Sequence, residues 1–372
     1  MASSRPSSST RVAQIVRELR DRLAAGHWSP GQKIDSEHAL AALFAVSRGT
    51  IASALRELAR EGLLRSEHGK GWFVSAAHAR RTGLVAVLFP DLSIVHDPIP
   101  RAHLRGIQRT LESTGTDIWL SAMPQRQHQP PSANDWLDLL DPSQIDGVII
   151  ATREVMEQRA LALADHLPLV WLDHPAVPPR IGGAQPDFLG GAFDAVSHLI
   201  ELGHRHIGLI TIERSFTQGW EQIEGARLAM RRLLASNEGE LHATEVEWNH
   251  PRHGQNAAQQ MLASADRPTA IVAGSDELAL GTCRAMQGLN LRLPEDVSLI
   301  GWNDVMDEGT FPVPMTTVVQ VAEQVGAAAA RQLLEMIEQP TDLTQTQRLA
   351  MPFVVRQSTA PPTSASPKQK QT

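Results

Sequence analysis

The sequence predicts a multi-domain chain, in which a small, mainly helical N-terminal domain with a β-ribbon precedes a larger two-lobed α/β body with parallel sheets. The length of 372 residues exceeds what one ordinary core accommodates and favours two or three domains. Apolar residues recur at helical spacing up to about position 60, whereas continuous apolar runs alternate with helical patterns further along. The hydrophobic content of 42% with 20% charged residues is typical of globular proteins.

The N-terminal domain is predicted to occupy residues 10–75, after a serine-rich tail at 1–9 that has too few apolar residues to pack. A first helix is expected directly after this tail, where valine, isoleucine and leucine form a stripe at helical spacing. The second helix is expected to open at Ser36, and the third at Ser47, which acts as its N-cap. Two short strands then enclose a glycine-rich tip at 68–71. This order is that of a winged helix-turn-helix, whose last helix fits a major groove of DNA.

The charge distribution favours nucleic acid as the partner of this domain alone. The whole chain has a formal net charge of −7, but residues 1–81 hold 13 Lys and Arg against 7 Asp and Glu. The remaining residues hold 21 against 34, so a basic head precedes an acidic body. Because the phosphates of DNA attract basic surfaces, we expect the contact with DNA in the head.

The body is predicted over residues 83–357, after a short basic linker at 76–82. Continuous apolar runs in this region are typical of parallel strands that are buried on both faces. These runs occupy residues 84–89, 147–151, 169–172, 207–212, 270–273 and 297–301. Because helical patterns separate them, we expect right-handed βαβ units arranged in two lobes. The polar, proline-rich segment 358–372 is expected to be a disordered tail.

Several classes of protein are disfavoured by composition. The single cysteine, Cys283, excludes an intramolecular disulfide framework and favours a reducing compartment. The N-terminus has no apolar signal core, and no run approaches the roughly 18 apolar residues of a membrane span, so a cytoplasmic protein without membrane contact is expected. His198, His204 and His206 have no cysteine or carboxylate at ligand spacing, so no metal site is expected. Without a nucleophile elbow or a phosphate loop, we expect neither an enzyme nor a cofactor.

The head resembles the winged-helix domain of the GntR family over roughly residues 10–75. The resemblance rests on Trp28-Ser29-Pro30-Gly31, Ser36-Glu37, Val46-Ser47-Arg48-Gly49-Thr50-Ile51, Leu55-Arg56-Glu57-Leu58 and Gly69-Lys70-Gly71. It implies sequence-specific binding to double-stranded operator DNA. The DNA-contacting residues that we expect from it are Ser47, Arg48, Thr50, Arg56, His38, His68, Gly69 and Lys70.

Arg48 is the principal contact expected in the recognition helix. Its guanidinium can bind a guanine edge in a bidentate manner or clamp a phosphate. The helix N-terminus, with the hydroxyls of Ser47 and Thr50, favours a phosphate. Members of the GntR family often carry arginine where this chain has His38 and Ala52, so two contacts of the relatives are expected to be missing. The operator sequences of relatives are therefore not expected to carry over.

The body resembles the effector-binding domains of the LacI/GalR family over roughly residues 82–357. The resemblance rests on Gly274-Ser275-Asp276-Glu277-Leu278-Ala279-Leu280-Gly281, Leu293-Pro294-Glu295-Asp296-Val297-Ser298, Gly301-Trp302-Asn303-Asp304 and Met315-Thr316-Thr317-Val318. It implies the two-lobed periplasmic-binding-protein-like fold, with an effector in the cleft at the carboxyl ends of the strands.

The effector-binding residues expected from this resemblance are Asp173, Gln222, Ser275, Asp276 and Asn303. Asp173 keeps a residue that often meets the ligand, whereas Gln222 stands where the family usually has arginine. Arginine is the natural partner of a carboxylate, so its loss disfavours an acidic effector. The amide and hydroxyl groups still suit a neutral sugar or polyol.

Together these features predict a homodimeric transcriptional regulator, by family habit a repressor, whose operator affinity is modulated by a small neutral ligand in the cleft between the lobes. The linker at 76–82 contains Arg80 and Arg81 but no hinge helix. Closure of the cleft is therefore expected to change the half-site spacing that two heads can span. Two alternatives remain open: a sugar-binding protein without DNA function, and a regulator that has lost its effector response.

Overall fold

The structure is a computed structural model, which describes residues 8–24, 27–29, 31–60, 63–67, 69–75, 82–89, 96–122, 140–141, 144–151, 157–174, 178, 180–235, 238–264, 266–307, 309–339 and 344–363. A small N-terminal domain with a two-stranded ribbon is followed by two α/β lobes, each built on a six-stranded sheet. The fold class predicted from the sequence is therefore confirmed.

The N-terminal domain is a winged helix-turn-helix with its own core. Its elements are α1 (Ser8–Ala24), α2 (Glu37–Phe44), α3 (Arg48–Arg60), β1 (Leu64–Glu67) and β2 (Gly71–Val74). The stripe of α1 buries Ile15, Val16 and Leu19 against Leu40, Ile51, Leu55 and Leu58 of the next two helices. Since Ala45 adopts a left-handed φ of 51° after α2, the chain turns sharply, and α3 leaves α2 at an angle of 110°.

The body alternates strands and helices, as the apolar runs indicate. Its elements in chain order are β3 (Leu84–Phe89), α4 (Pro98–Glu112), β4 (Asp117–Ala122), β5 (Gly147–Ile150), α5 (Glu157–Ala164), β6 (Leu169–Leu172), β7 (Gly182–Pro186), α6 (Phe188–Glu201), β8 (His206–Ile212), α7 (Thr217–Leu233), β9 (Glu240–Val246), α8 (Pro251–Leu262), β10 (Ala270–Ala273), α9 (Asp276–Gly288), β11 (Ser298–Asn303), β12 (Thr316–Val319), α10 (Ala322–Glu338), β13 (Thr346–Leu349) and β14 (Phe353–Val354).

The chain crosses three times between the two sheets. The first lobe has the strand order β13-β7-β6-β5-β3-β4, and all its pairs are parallel. The second lobe has the order β14-β12-β11-β10-β8-β9, in which only β14 is antiparallel. The chain crosses after β7, after β12 and between β13 and β14. All three crossings leave the carboxyl end of a strand, so those ends lie at the boundary between the lobes.

Helices α4 and α10 pack unusually closely on the first lobe. A Cβ atom added at Gly106 would lie 1.9 Å from the backbone oxygen of Glu323, and one at Gly326 would lie 2.1 Å from the backbone oxygen of His103. Glycine is therefore required at both crossing points. The close approach fixes the position of His103, whose side chain faces the boundary between the lobes.

The C-terminal boundary of the body differs from the one predicted. Disorder was expected from position 358, but Ser358 is fully buried, and its Oγ accepts a hydrogen bond from the Thr316 amide at 2.8 Å and donates to the Leu299 oxygen at 2.6 Å. The expectation was wrong for 358–363, because these polar residues pair with β11 and β12; residues 364–372 lie outside the described residues. At the other end, α1 begins at Ser8, so the last two residues of the expected tail belong to a helix.

Within the described part of the chain, no single helix is long and apolar enough to cross a membrane. Helices α2 and α3 pass that test only as a pair, and their 110° bend is the turn of the helix-turn-helix.

Candidate DNA-binding surface and effector cleft

The recognition helix α3 is capped at the end that presents the predicted contacts. The hydroxyl of Ser47 accepts a hydrogen bond from the Thr50 amide at 3.2 Å and lies 2.8 Å from the Thr50 hydroxyl. These bonds satisfy part of the helix N-terminus, and Ser47 and Arg48 remain exposed. The first turn of α3 therefore offers hydroxyls, backbone amides and a guanidinium at one exposed place.

Arg48 lies between the helix-turn-helix and the wing. Its side chain is 69% exposed, and its guanidinium is 3.8 Å from a carboxylate oxygen of Glu37, the first residue of α2. The other oxygen of Glu37 accepts a hydrogen bond from the Trp72 indole in β2 at 3.2 Å. One carboxylate at the start of α2 thus contacts both the first turn of α3 and the wing.

The wing presents a compact pair of cations. Gly69 and Gly71 adopt φ values of 76° and 115°, which side-chain-bearing residues rarely adopt, so these glycines allow the tight tip. Lys70 lies 3.2 Å from Glu67, which also contacts Arg65. The hydrogen bond from Lys70 lowers the pKa of the Glu67 carboxyl, with Arg65 as a second contributor. His68 lies outside the described residues.

Arg56 and His38 also lie on the surface of the head. Arg56 is exposed two turns after Arg48, and its Nε donates to the backbone oxygen of Ala52 at 3.1 Å. His38 is exposed in the first turn of α2. Of the DNA-contacting residues predicted from the sequence, the described ones are thus brought to the first turns of α2, to α3 and to the wing.

In the second lobe, three of the predicted effector residues lie where β10 and β11 end. Ser275 is buried and caps α9, because its hydroxyl accepts from the Leu278 amide at 3.2 Å. Asp276 is also buried, and its Oδ2 accepts from the Val305 amide at 2.8 Å. Burial raises the pKa of Asp276 to about 7. Asn303 ends β11 with a φ of 97° and is 9% exposed.

Gln222 occupies the position at which the sequence comparison expected a ligand contact, but its amide is already engaged. The side chain is fully buried in α7, its Nε2 donates to the Gly274 oxygen at 3.2 Å, and its Oε1 accepts from the Thr211 hydroxyl. The glutamine therefore supports the turn after β10.

In the first lobe, Asp173 follows β6 in a left-handed conformation with a φ of 52°. Its Oδ1 is buried without a hydrogen-bond partner among the described residues, and its Oδ2 is 3.8 Å from the Nε2 of the buried His103. Burial raises the pKa of the Asp173 carboxyl, and His103 offsets part of this shift. Burial also lowers the pKa of His103, which favours its neutral form.

A buried glutamate and an exposed arginine that the sequence analysis missed connect the lobes. Glu221 in α7 is 1% exposed and accepts a hydrogen bond from Arg348 of β13 at 2.6 Å. Arg348 also lies 3.8 Å from Asp187. The Asp173 carbonyl accepts from the Thr217 hydroxyl at 3.0 Å, which is a further contact between the lobes. No periodic pattern marks these pairs, because each joins elements far apart in sequence.

A surface groove of about 590 Å³ adjoins this region without containing its buried acids. It lies between α4 and α10, and its wall includes Ile99, Ala102, Arg109, Val305 and Gln320. The Val305 and Gln320 amides donate to Asp276 and to the Asn303 carbonyl. The groove therefore reaches the cleft only at its second-lobe edge, and the polar residues described above define the candidate effector site.

One group of three potential metal ligands occurs among the described residues. Atoms of His206, Glu240 and Asp266 lie within 4.8 Å of one another. They stand at or just before the amino ends of β8, β9 and β10, at the sheet edge opposite the effector cleft. Their ion-pair distances of 4.0 and 3.7 Å are ordinary for a surface histidine beside carboxylates.

In comparisons with known proteins, the head and the body each match a family model. A family model described as bacterial regulatory proteins of the gntR family matches residues 11–74. A second model, described as a periplasmic binding protein-like domain, matches residues 196–359. The arabinose metabolism transcriptional repressor of Geobacillus stearothermophilus is 28% identical over 349 residues, which cover 88% of this chain and 91% of that repressor.

Other relatives match the body. The HTH-type transcriptional repressor PurR of Edwardsiella ictaluri is 31% identical over 229 residues, which cover 60% of this chain and 66% of PurR. A crystal structure of a LacI family transcriptional regulator from Enterococcus faecium with bound ribose is 26% identical, with a TM-score of 0.63, over 75% of this chain and 100% of that chain.

The fold, the exposed recognition helix and these comparisons define a DNA-binding transcriptional regulator. More particularly, this chain is a hybrid that joins a GntR-family helix-turn-helix domain to a periplasmic-binding-protein-like body. Its named relatives are transcriptional regulators rather than enzymes.

Proposed function

We propose that this protein is a homodimeric repressor that binds operator DNA through α3 and the wing and is released by a small neutral ligand in the cleft between the lobes. The observation that supports the proposal is that one chain contains both features. Arg48 is exposed at a capped helix N-terminus, and the cleft in the body contains buried polar groups. The domains are the head at 10–75, the linker at 76–82 and the body from 83, which extends to 363.

The geometry of the head supports recognition of a specific sequence. Arg48 presents a planar guanidinium at the end of α3 that enters a groove, so it reads a base edge, whereas Lys70 and Arg56 contact phosphates. Proteins with this motif generally bind two half-sites as dimers, so two heads are required on one operator.

The relatives and the residues of the cleft support a small neutral sugar as the ligand. A relative at 26% identity holds ribose in its body, and the arabinose repressor resembles this chain along nearly its whole length. The side chains of Asp173, Ser275, Asp276 and Asn303 supply oxygen and amide groups around the boundary between the lobes. We infer that ligand binding there changes the angle between the lobes and hence the spacing of the two heads.

The decisive experiment measures binding of the full chain to labelled DNA from upstream of its own gene by fluorescence anisotropy. Arg48→Ala removes the base or phosphate contact, and one good bidentate contact is worth ~1–3 kcal/mol, so the affinity should fall by about 5- to 150-fold. Arg60→Ala is the matched control, because it removes an exposed arginine from the opposite end of α3. Equal affinities of the two variants would contradict the assignment of the recognition surface.

The ligand response is tested on the same complex. A free sugar that binds the body should lower the anisotropy of bound DNA, and Asp173→Ala or Asn303→Ala should abolish this release while operator binding is kept. If DNA binding is specific but no sugar in a broad panel releases it, the chain is a regulator without an effector response. If no upstream DNA binds, the alternative of a sugar-binding protein without DNA function is favoured.

A further inference from the structure

Three buried polar atoms that lack a hydrogen-bond partner among the described residues belong to side chains at the boundary between the lobes. They are the Nε2 of His103, the Oδ1 of Asp173 and the Oε2 of Glu221. His103 and Glu221 are 4% and 1% exposed, so neither can be satisfied by bulk water. Buried polar groups are almost always hydrogen-bonded in folded proteins, which makes such a group of unpaired atoms a sign of a missing partner.

These three side chains come from different elements, and Glu221 lies close enough to Asp173 to help raise the pKa of its carboxyl. The Nε2 of His103 is 3.8 Å from Asp173, which is too long for a hydrogen bond and leaves both groups available. The Asp173 carbonyl accepts from Thr217, which precedes Glu221 by one turn of α7 on the same helix face. Asp173 and His103 belong to the first lobe and Glu221 to the second, so a molecule that satisfies all three spans the cleft.

The charges around this cluster favour a ligand that donates hydrogen bonds. Arg348 already pairs with the other oxygen of Glu221 and lies near Asp187. Within the described residues, no arginine or lysine pairs with Asp173. Gln222, where an arginine was expected, is engaged with its own lobe. The open positions are therefore carboxylate oxygens and one imidazole nitrogen, which accept from hydroxyl groups and repel further negative charge.

We propose that His103 and Glu221, together with Asp173, are the residues that determine ligand specificity, and that they select a free sugar over its phosphorylated or carboxylated derivative. This inference rests on the proposed function and deepens it. Two sugar hydroxyls donate to Asp173 and Glu221, and a third hydroxyl meets His103. A phosphate or carboxylate at this end would place like charges side by side, next to the buried side chains of His103 and Glu221.

The test compares matched ligands on the unmodified full chain by isothermal titration calorimetry. The probes are D-ribose and L-arabinose against ribose 5-phosphate and arabinonate, with a wider panel of free pentoses and hexoses. We expect the free sugar to bind at least 100-fold more tightly than its anionic derivative. Tighter or equal binding of the anionic derivative would overturn the inference, as would failure of every free sugar to bind.

Substitutions then test which side chains are responsible for the selectivity for free sugars. Glu221→Gln keeps the shape of the side chain but removes its charge, so it should weaken sugar binding about tenfold and narrow the discrimination against ribose 5-phosphate. Glu224→Gln is the matched control, since Glu224 lies one turn later on α7 and pairs with Arg227 at 2.8 Å. His103→Gln should weaken binding of the free sugar as well.

Two results would count against these assignments. If Glu221→Gln and Glu224→Gln show the same affinity and the same discrimination, Glu221 is not a specificity residue. Thermal unfolding of each variant reports whether it is folded, and the ligand panel on the unmodified chain tests the selectivity independently of any variant.

The failure of this inference differs from a failure of the proposed function. A free sugar that binds selectively but does not release DNA contradicts the proposed ligand switch and supports the selectivity. A sugar phosphate that binds and releases DNA overturns the selectivity and supports the switch.

Discussion

The crossing of α4 and α10 leads to a sharp prediction about the substitution Gly106→Ala. An added methyl group would lie 1.9 Å from the Glu323 oxygen and 2.8 Å from the Ala327 amide nitrogen, whereas ordinary van der Waals contact is 3.4–4 Å. The neighbouring atoms are backbone, so the helices have to separate. Overpacking of this kind costs ~1–3 kcal/mol, even though alanine favours a helix by roughly 1 kcal/mol over glycine. We expect a net loss of stability.

The loss should be visible in thermal unfolding followed by circular dichroism. For a body of this size, a net loss of up to ~2 kcal/mol corresponds to a fall of up to about 8 °C in the Tm of its transition. Gly288→Ala is the matched control, because Gly288 ends helix α9 and an added methyl group would meet nothing within 4 Å. Since His103 lies one turn from Gly106, sugar affinity should fall in the first variant only. Equal Tm values for the two variants would refute the argument that the helices are in contact here.

Three further outcomes are expected. Lys70→Ala should weaken binding to all DNA sequences alike and reduce the slope of log K against log salt by about 0.9, because one phosphate contact is lost; an unchanged slope would exclude Lys70 from the interface. The pKa of Asp276 is raised from 3.8 to about 7, so the stability that its neutral form contributes is present below pH 3.8 and is lost as the pH rises through 7. The unfolding free energy should therefore fall between pH 3.8 and 7 relative to that of Asp276→Asn, by a total on the order of 4 kcal/mol, and the Tm should fall with it; parallel pH profiles would contradict this. A chain ended at Gln357 loses the buried hydrogen bonds of Ser358, each worth ~1–3 kcal/mol when a partner is left unsatisfied, and should unfold at a clearly lower temperature than a chain ended at Thr363, for which we expect no change.

The central strands of the body could be predicted because burial on both faces leaves a continuous apolar run in the sequence. The runs at 84–89, 169–172 and 270–273 coincide with strands of the structure. The edge strands β4 and β9 are partly exposed, so their residues alternate in burial and show no such run. Strand β7 reads Gly-Gly-Ala-Gln-Pro and lacks strand-forming residues. There, a Cβ at Gly182 would meet Gln332 and Val170 at 2.9 Å, so packing requires a glycine that local propensity disfavours.

The candidate site was only partly accessible from the sequence. The family motifs predicted Asp173, Asp276 and Asn303 as effector-binding residues, and the structure places all three at the boundary between the lobes. The roles of His103 and Glu221 could not be inferred in this way. The first depends on a glycine-mediated helix crossing, and the second on an arginine that lies 127 positions away in the chain.

The amino-acid sequence alone determines the identity of the two domains, because helix caps, turn glycines and strand runs are local signals that each segment carries within itself. It also locates the positive charge in the head. Arg48 and Lys70 are exposed there by local structure alone, the first by the start of a helix and the second by a tight turn. The tertiary structure decides which polar groups remain unpaired in the cleft. Whether a carboxylate is satisfied depends on side chains from distant elements of both lobes, and that pairing exists only once the chain has crossed between them.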